Sequence, residues 1–380
     1  MSKLLIIGAS VLQLPAIKKA KELGHVVAVA DYNPSAIGIP YADRYYNAST
    51  IDVEAICDVA KDFRPDGIMT LATDMPMRSI AAATTLLGLP GISMDTAVKT
   101  TDKWEMIKAF KEHDVESPWF YIIERENDWD FVRKRITSPC VLKPTDNAGS
   151  RGVILVETVQ KLDEAYQYSK SQSRGGKVIV EEYMRGNEVS VEVIVYKGKV
   201  HILAITDKLT TGAPYFVEMG HSQPSRLPEK DLLKIRDLTS RAIKAVGIEN
   251  GPAHVEVMQT KQGPKMIELG ARMGGDCIGS DLVRLSTGYD YVRMVIETAL
   301  GRFPSFEKTS AYKAAVIRFV FSQKDVDVLN YIREKKPNIL KFVSDINTTT
   351  EGKVFDSSTR GGFYIAACDS LADAKEIAEK

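Results

Sequence analysis

The residues best suited to chemistry here are two lysines, two glutamates and an arginine, placed around a glycine-bearing loop. Residues Pro139 to Val153 read PCVLKPTDNAGSRGV: a short apolar strand, Lys143 at its end, a polar loop with Gly149 and Gly152, and a second apolar strand. A lysine at a strand end supplies a point charge for phosphate oxygens, and the loop amides supply donors. The order is not that of a Walker loop, in which the lysine follows the glycines and precedes a helix. A hairpin carrying a solvated lysine is the other reading of the same residues. Lys103 lies in the first turn of a predicted helix, where a cation opposes the helix dipole unless an anion accompanies it. Glu256 and Glu268 fall on two predicted strands joined by Lys261-Gln262-Gly263, which places them nearly opposite each other. Like charges in that position repel, and a divalent cation between them would relieve the repulsion. Alternatively, one carboxylate faces solvent or pairs with Arg272, whose planar fork also suits phosphate.

The chain of 380 residues is too long for one compact core. Lys+Arg and Asp+Glu both number 50, which argues against a general nucleic-acid or membrane-surface binder. The four cysteines, Cys57, Cys140, Cys277 and Cys368, form no CxxC pair. They read as small apolar residues of a reducing, cytoplasmic protein. The N-terminal run Leu4 to Ile7 is too short for a signal peptide, and no segment has the length of a membrane span.

The elements that must position these residues follow from periodicity. Residues 3–8, 25–30 and 67–71 are apolar runs separated by the amphipathic stretches 15–23, 51–63 and 76–87, which predicts a parallel sheet covered on both faces. Ligands of such sheets lie beyond the carboxyl ends of the strands, where Ser10, Gln13, Asp31, Thr73 and Asp74 fall. The first turn, GASVLQ, lacks the three-glycine dinucleotide fingerprint. A helix from about Thr101 to His113 opens on Asp102. Residues 119–204 alternate strands and helices as a small α+β unit, with Lys197-Gly198 as a tight hairpin turn. A long helix over 228–246, the strands 253–258 and 265–269, and helices near 277–286 and 289–300 follow. A last region from about residue 305 begins with AAVIRFVF and ends with FYIAA and a helix.

Taken together, GASVLQLPAIKKAKELG, GISMDTAVKTTDKWEMIKAFKEHDV, VLKPTDNAGSRGV, VEEYMRGNEVSVEV and HVEVMQTKQGPKMIELGARMGGD resemble, in order and spacing, the ATP-grasp carboxylate–amine ligases. Members of that superfamily include bacterial L-amino acid ligases, phosphoribosylamine–glycine ligase and biotin carboxylase. The resemblance implies an α/β ATP-grasp fold with a Rossmann-like N-terminal domain (1–97), a small lobe with its connecting helix (98–187), a large lobe (188–305) and a C-terminal α/β subdomain (306–380). It implies ATP and Mg²⁺ (or Mn²⁺) as cofactors, small carboxylate and amine substrates, and a homodimer. By the same resemblance, Lys103 and Lys143 contact ATP phosphates, and Asn147, Ala148, Gly149, Ser150 and Gly152 belong to the loop that folds over them. Glu181, Glu182 and Met184 form the adenine-reading hinge, with Glu181 taking the 6-amino group. Glu188 accepts from the ribose, Glu256 and Glu268 hold the metal, and Arg272 stabilises the transferring phosphoryl group. Many members carry E-x-N-x-R at the second metal glutamate. Here Gly270 replaces the asparagine and brings no side-chain oxygen.

The implied reaction converts a carboxylate to an acyl phosphate, which an amine then displaces. Substrate contacts are expected from Gln13, Asp74, His221, Asp276 and Arg318, with Arg360 as a further candidate. Carbamoyl-phosphate-type synthesis and purine-pathway ligation share this chemistry. An ATP-binding regulatory protein without turnover is the non-enzymatic alternative.

Overall fold

The structure, a computed structural model, describes residues 1–136, 139–147, 151–213, 216–347 and 359–379. Its first sheet is parallel: β1 (Lys3–Ile7), β2 (Val26–Asp31), β3 (Arg44–Asn47) and β4 (Gly67–Met69) lie in the order β3-β2-β1-β4. β1 has no polar alternation because both faces are covered. Leu5 and Ile7 pack under the helices Val53–Phe63 and Met77–Leu87, while Leu4 and Ile6 pack with the helix Leu14–Glu22. β3 was not anticipated. Its sequence, RYYN, has no buried residue and adds an exposed edge to the sheet.

The small lobe is an antiparallel sheet of β5 (Phe120–Ile123), β6 (Cys140–Pro144), β7 (Ile154–Val156) and β8 (Val178–Glu182), ordered β5-β8-β6-β7. Its core includes Leu142, Val156, Val178 and Val180, closed by Trp129 stacked on Tyr166. The connecting helix Lys103–Glu112 starts at Asp102, whose carboxylate accepts from the amides of Trp104 and Glu105. The Glu105 side chain pairs with Lys108.

The large sheet joins β9 (Gly186–Tyr196), β10 (Lys199–Thr210), β11 (Glu218–Gln223), β12 (Gly251–Thr260), β13 (Gly263–Gly270), β14 (Ala314–Phe319), β15 (Leu340–Val343) and β16 (Phe363–Cys368). The order is β13-β12-β9-β10-β11-β14-β16-β15, with every pairing antiparallel. Lys197 and Gly198 turn β9 into β10 with φ of +49° and +73°, the left-handed pair that a two-residue hairpin requires. The sheet runs through the division expected at residue 306, because β11 pairs with β14. The C-terminal region thus continues the large-lobe sheet. The segment read as one helix over 277–286 is a π-helical turn, Ile278–Leu282, followed by the short helix Val283–Thr287. The large lobe shares cores with the N-terminal domain: valines of β9 lie in one cluster with Leu5 and Ile7, and the helix Tyr291–Ala299 packs with Leu4 and Ile6. Among the described residues no helix is long and apolar enough to cross a membrane.

Candidate active site

The β12–β13 hairpin sets the site. Counting from the turn, Thr260 pairs with Gly263 and Val257 with Met266; the register then shifts, and Glu256 pairs with Glu268. Without that bulge Glu256 would face Ile267, and the two carboxylates would point to opposite sides of the sheet. Each glutamate has its own ammonium: Lys208 Nζ lies 2.8 Å from Glu256 and Lys103 Nζ 2.8 Å from Glu268. Lys103 thus has the anion that its place in the helix calls for. Lys208 also lies 2.8 Å from Glu188 and 2.8 Å from Glu218, and its side chain is 3% exposed. Burial works against its charge, but the three carboxylates outweigh burial and hold Lys208 well above the ordinary lysine value. Burial likewise opposes ionisation of Glu256, and Lys208 with His254 overcomes it, so Glu256 is held well below the ordinary value. Glu188 shifts upward, because burial and the neighbouring carboxylates exceed the pull of Lys208.

Behind this group, β9 carries Glu192, fully buried and opposite His254 in register. The Glu192 carboxylate pairs with His254 Nδ1 and accepts from the amide of Gly274 at 2.9 Å, while His254 Nε2 lies 3.4 Å from Glu256. Burial disfavours the imidazolium, but Glu192 outweighs it and raises the His254 pKa to about 9. Glu192 therefore orients the histidine that backs Glu256.

On the small-lobe side, Lys143 and Glu181 form a buried ion pair of 2.7 Å. These two had separate expected tasks, phosphate and adenine, and the structure joins them to each other. Glu182 turns instead to Lys265 at 2.7 Å. Lys103 Nζ donates to the Asn147 carbonyl, and its own amide donates to the Thr145 carbonyl, which ties the loop entrance to the connecting helix. Gly152 adopts φ +80°. Ala148, Gly149 and Ser150 lie outside the described residues.

The N-terminal domain completes the wall. Asp74, in the loop after β4, takes Arg272 in a fork: Nε donates to one carboxylate oxygen at 3.0 Å and Nη2 to the other at 2.9 Å. Both residues line a cleft of about 1740 Å³, together with Lys103, Lys143, Lys208 and Glu256. Met184, Val141 and Leu269 supply part of its apolar lining. Also lining the cleft, Arg360 donates from Nη1 to Asp276 at 2.9 Å and from Nη2 to Glu218 at 3.3 Å, and its guanidinium lies 3.6 Å from the centre of the Phe319 ring. Buried His221 stands 3.8 Å from Asp276 and 3.9 Å from Glu218, and among the described residues neither ring nitrogen has a hydrogen-bond partner. Burial opposes ionisation of Asp276, but His221 and Arg360 hold its carboxyl well below the usual range.

Two expected substrate residues lie elsewhere. Gln13 is 2% exposed; its amide donates to the Leu71 carbonyl and its oxygen accepts from Ser10, so it braces the first turn of the N-terminal sheet. Arg318 donates to the Ala378 carbonyl and faces Asp325, on the side of the sheet covered by the last helix. Alternation in β14 left the choice of face open, and the C-terminal helix takes it. Lys208, Glu192 and His254 were missed. The available signal was a charge within an apolar run: VSVEVIV around Glu192 and ILAITDKLT around Lys208.

Glu256 and Glu268 present hard oxygen donors side by side, with Glu188 in the same cleft, and this donor chemistry fits Mg²⁺ or Mn²⁺. Gly270 contributes no side-chain ligand.

Residues 136–281 match the model of the ATP-grasp domain. This stretch of the chain is similar to the ATP-grasp domain. It is 28% identical over 291 residues to the alanine–anticapsin ligase of Bacillus subtilis (strain 168), a match covering 70% of this chain and 61% of that protein. To the phosphoribosylamine–glycine ligase of Methanococcus vannielii it is 25% identical over 402 residues, covering 96% and 89%. Among solved structures, an L-amino acid ligase from Bacillus licheniformis superposes with a TM-score of 0.84 at 22% identity, covering 100% of this chain and 96% of that one.

Proposed function

We propose that the chain is an ATP-dependent carboxylate–amine ligase. The carboxylate oxygen attacks the γ-phosphorus, ADP leaves, and an acyl phosphate forms. The amine nitrogen then attacks the acyl carbon, the carbon–oxygen bond breaks, phosphate leaves, and the nitrogen loses a proton to give the amide. The observation that carries this reading is the convergence of Lys103, Lys143, Lys208 and Arg272 with the Glu256/Glu268 pair on one cleft. Both steps gather negative charge on phosphoryl oxygens, and preorganised cations are what such steps need. Mg²⁺ or Mn²⁺, held by Glu256 and Glu268, would supply further charge neutralisation at the phosphates. The lysines place the phosphate chain, and Arg272 faces the transferring group.

The Glu218/His221/Asp276/Arg360 group is the acceptor end in this reading. Two carboxylates and an arginine side by side suit a zwitterion, its ammonium on Glu218 or Asp276 and its carboxylate on Arg360. In this reading His221, whose ring nitrogens have no hydrogen-bond partner among the described residues, takes the proton that the amine loses. The matches to ligases of free amino acids support an amino acid as one substrate. Cytoplasmic residence and a homodimer belong to the same reading, on likeness to the family.

Incubation with ATP, Mg²⁺ and pairs of amino acids, with a phosphorylated sugar amine as an additional acceptor, tests it. ADP release that needs both a carboxylate and an amine is expected. AMP and pyrophosphate would overturn the acyl-phosphate route.

A further inference from the structure

Gly270 ends β13 without a left-handed backbone, since its φ lies outside the positive range. A side chain there would carry no conformational penalty, and alanine would ordinarily be favoured in a strand. What opposes it is a neighbour. A Cβ at position 270 would overlap Asp74 Oδ1 and come within 3.2 Å of Arg272 Nε. The Asp74 carboxylate thus occupies the volume that any residue other than glycine would claim.

Asp74 does more than fill space. It grips the Nε/Nη2 edge of Arg272. A fork held on one edge cannot rotate about its last bonds without breaking two charge-assisted hydrogen bonds. Among the described residues the remaining Nη1 edge has a single long contact, 3.4 Å to the Met273 carbonyl, and both Asp74 and Arg272 line the cleft. The loop carrying Asp74 is itself fastened. Met77 donates its amide to the Asp74 carbonyl, and Arg174 of the small lobe reaches Met75 Sδ at 3.4 Å. The N-terminal domain therefore sets the orientation of a cation in the nucleotide cleft.

We infer that Asp74 is a positioning residue for Arg272, and that glycine stands at position 270 to admit its carboxylate. The inference rests on the ligase reading for the task of Arg272 and on geometry alone for the contact. Asp74 offers Arg272 a fixed partner from another domain, so the packing of the N-terminal domain on the large lobe also aligns the arginine. Arg272 enters the reaction already aimed, and the cost of ordering a long side chain is met before substrate arrives.

A double-mutant cycle tests both parts. Asp74→Ala, Gly270→Ala and the double variant are compared with the wild type by unfolding midpoint of the nucleotide-free protein and by steady-state ADP release. In the Asp74 background Gly270→Ala should lower the midpoint and reduce kcat by about tenfold to a hundredfold, leaving KM for ATP within about twofold. In the Asp74→Ala background the same substitution should leave kcat unchanged and the midpoint equal or higher. Asp74→Asn, which keeps one acceptor, should recover part of the kcat lost in Asp74→Ala. Additive midpoints overturn the contact. Coupled midpoints with unchanged kcat in Gly270→Ala overturn the positioning role. A wild type that releases no ADP with any substrate pair overturns the ligase reading and the positioning role with it, while the midpoint cycle still decides the contact.

Discussion

Glu256 stands opposite Glu268 in adjacent strands, yet each carboxylate is 2.8 Å from a different lysine. Their repulsion is balanced by Lys208 and Lys103, so the hairpin is stable before any metal arrives. Glu268→Gln removes one charge and leaves the ammonium of Lys103 without its anion. The variant should lose about 1–3 kcal/mol of stability in the absence of nucleotide, read by denaturant unfolding. If Glu268 holds the metal as proposed, the variant should also lose ADP release by at least about a hundredfold. Unchanged turnover would remove Glu268 from the site.

Lys208 is the keystone of a second group. Replacing it by methionine leaves Glu188, Glu218 and Glu256 crowded together without a cation. We expect a loss of about 3–5 kcal/mol, the range for breaking a buried ion pair. Added Mg²⁺ should raise the unfolding midpoint of Lys208→Met more than that of the wild type, because the metal then supplies the missing charge. Equal Mg²⁺ responses would show that Lys208 and the metal do not act on the same carboxylates.

Lys143 and Glu181 allow structure and binding to be separated. Lys143→Met alone should destabilise by about 3–5 kcal/mol, because it strands the buried Glu181 charge. Lys143→Met with Glu181→Leu should recover most of that stability. Calorimetric ATP affinity should stay low in the double variant if Lys143 contacts phosphate. Restored affinity would assign the lysine to folding alone.

Much of this site was legible in the sequence, and the reasons are local. Strand alternation and a short turn placed Glu256 against Glu268, although the bulge that puts them on one face left no mark beyond Ile267 itself. Asp102 announced the helix that presents Lys103. The pairing of Lys143 with Glu181 was hidden because it is a diagonal contact between strands that are not consecutive in sequence. Asp74 and Arg272 are 198 residues apart, so only domain packing brings them together, and Gly270 showed as a missing ligand where the structure finds an occupied volume. The helix Gln323–Lys335 went unseen because it buries only Asp325, Leu329 and Ile332, too thin an apolar stripe for periodicity to register. Arg318 sits on a strand buried on both faces, where alternation carries no information about side.

Asp276 gives a pH dependence whose sign is fixed. His221 and Arg360 hold its carboxyl below the ordinary value of 3.8. A depressed folded pKa contributes stability that is present above the unfolded value and is lost as pH falls through the folded one. The wild type should therefore lose stability as pH drops below about 4, and Asp276→Asn should show a shallower decline over the same interval. Parallel acid limbs in the two proteins would mean that the carboxylate is not held by these neighbours in solution.

An acyl phosphate leaves its mark in the fate of the carboxylate oxygen. A carboxylate substrate labelled with heavy oxygen in both positions is incubated with ATP, Mg²⁺ and the amine acceptor, and the released inorganic phosphate is analysed by mass. Transfer of the carboxylate oxygen to phosphorus, followed by cleavage of the carbon–oxygen bond, predicts one labelled oxygen in each phosphate released. Amide formed with unlabelled phosphate, or with the label in AMP, would contradict it.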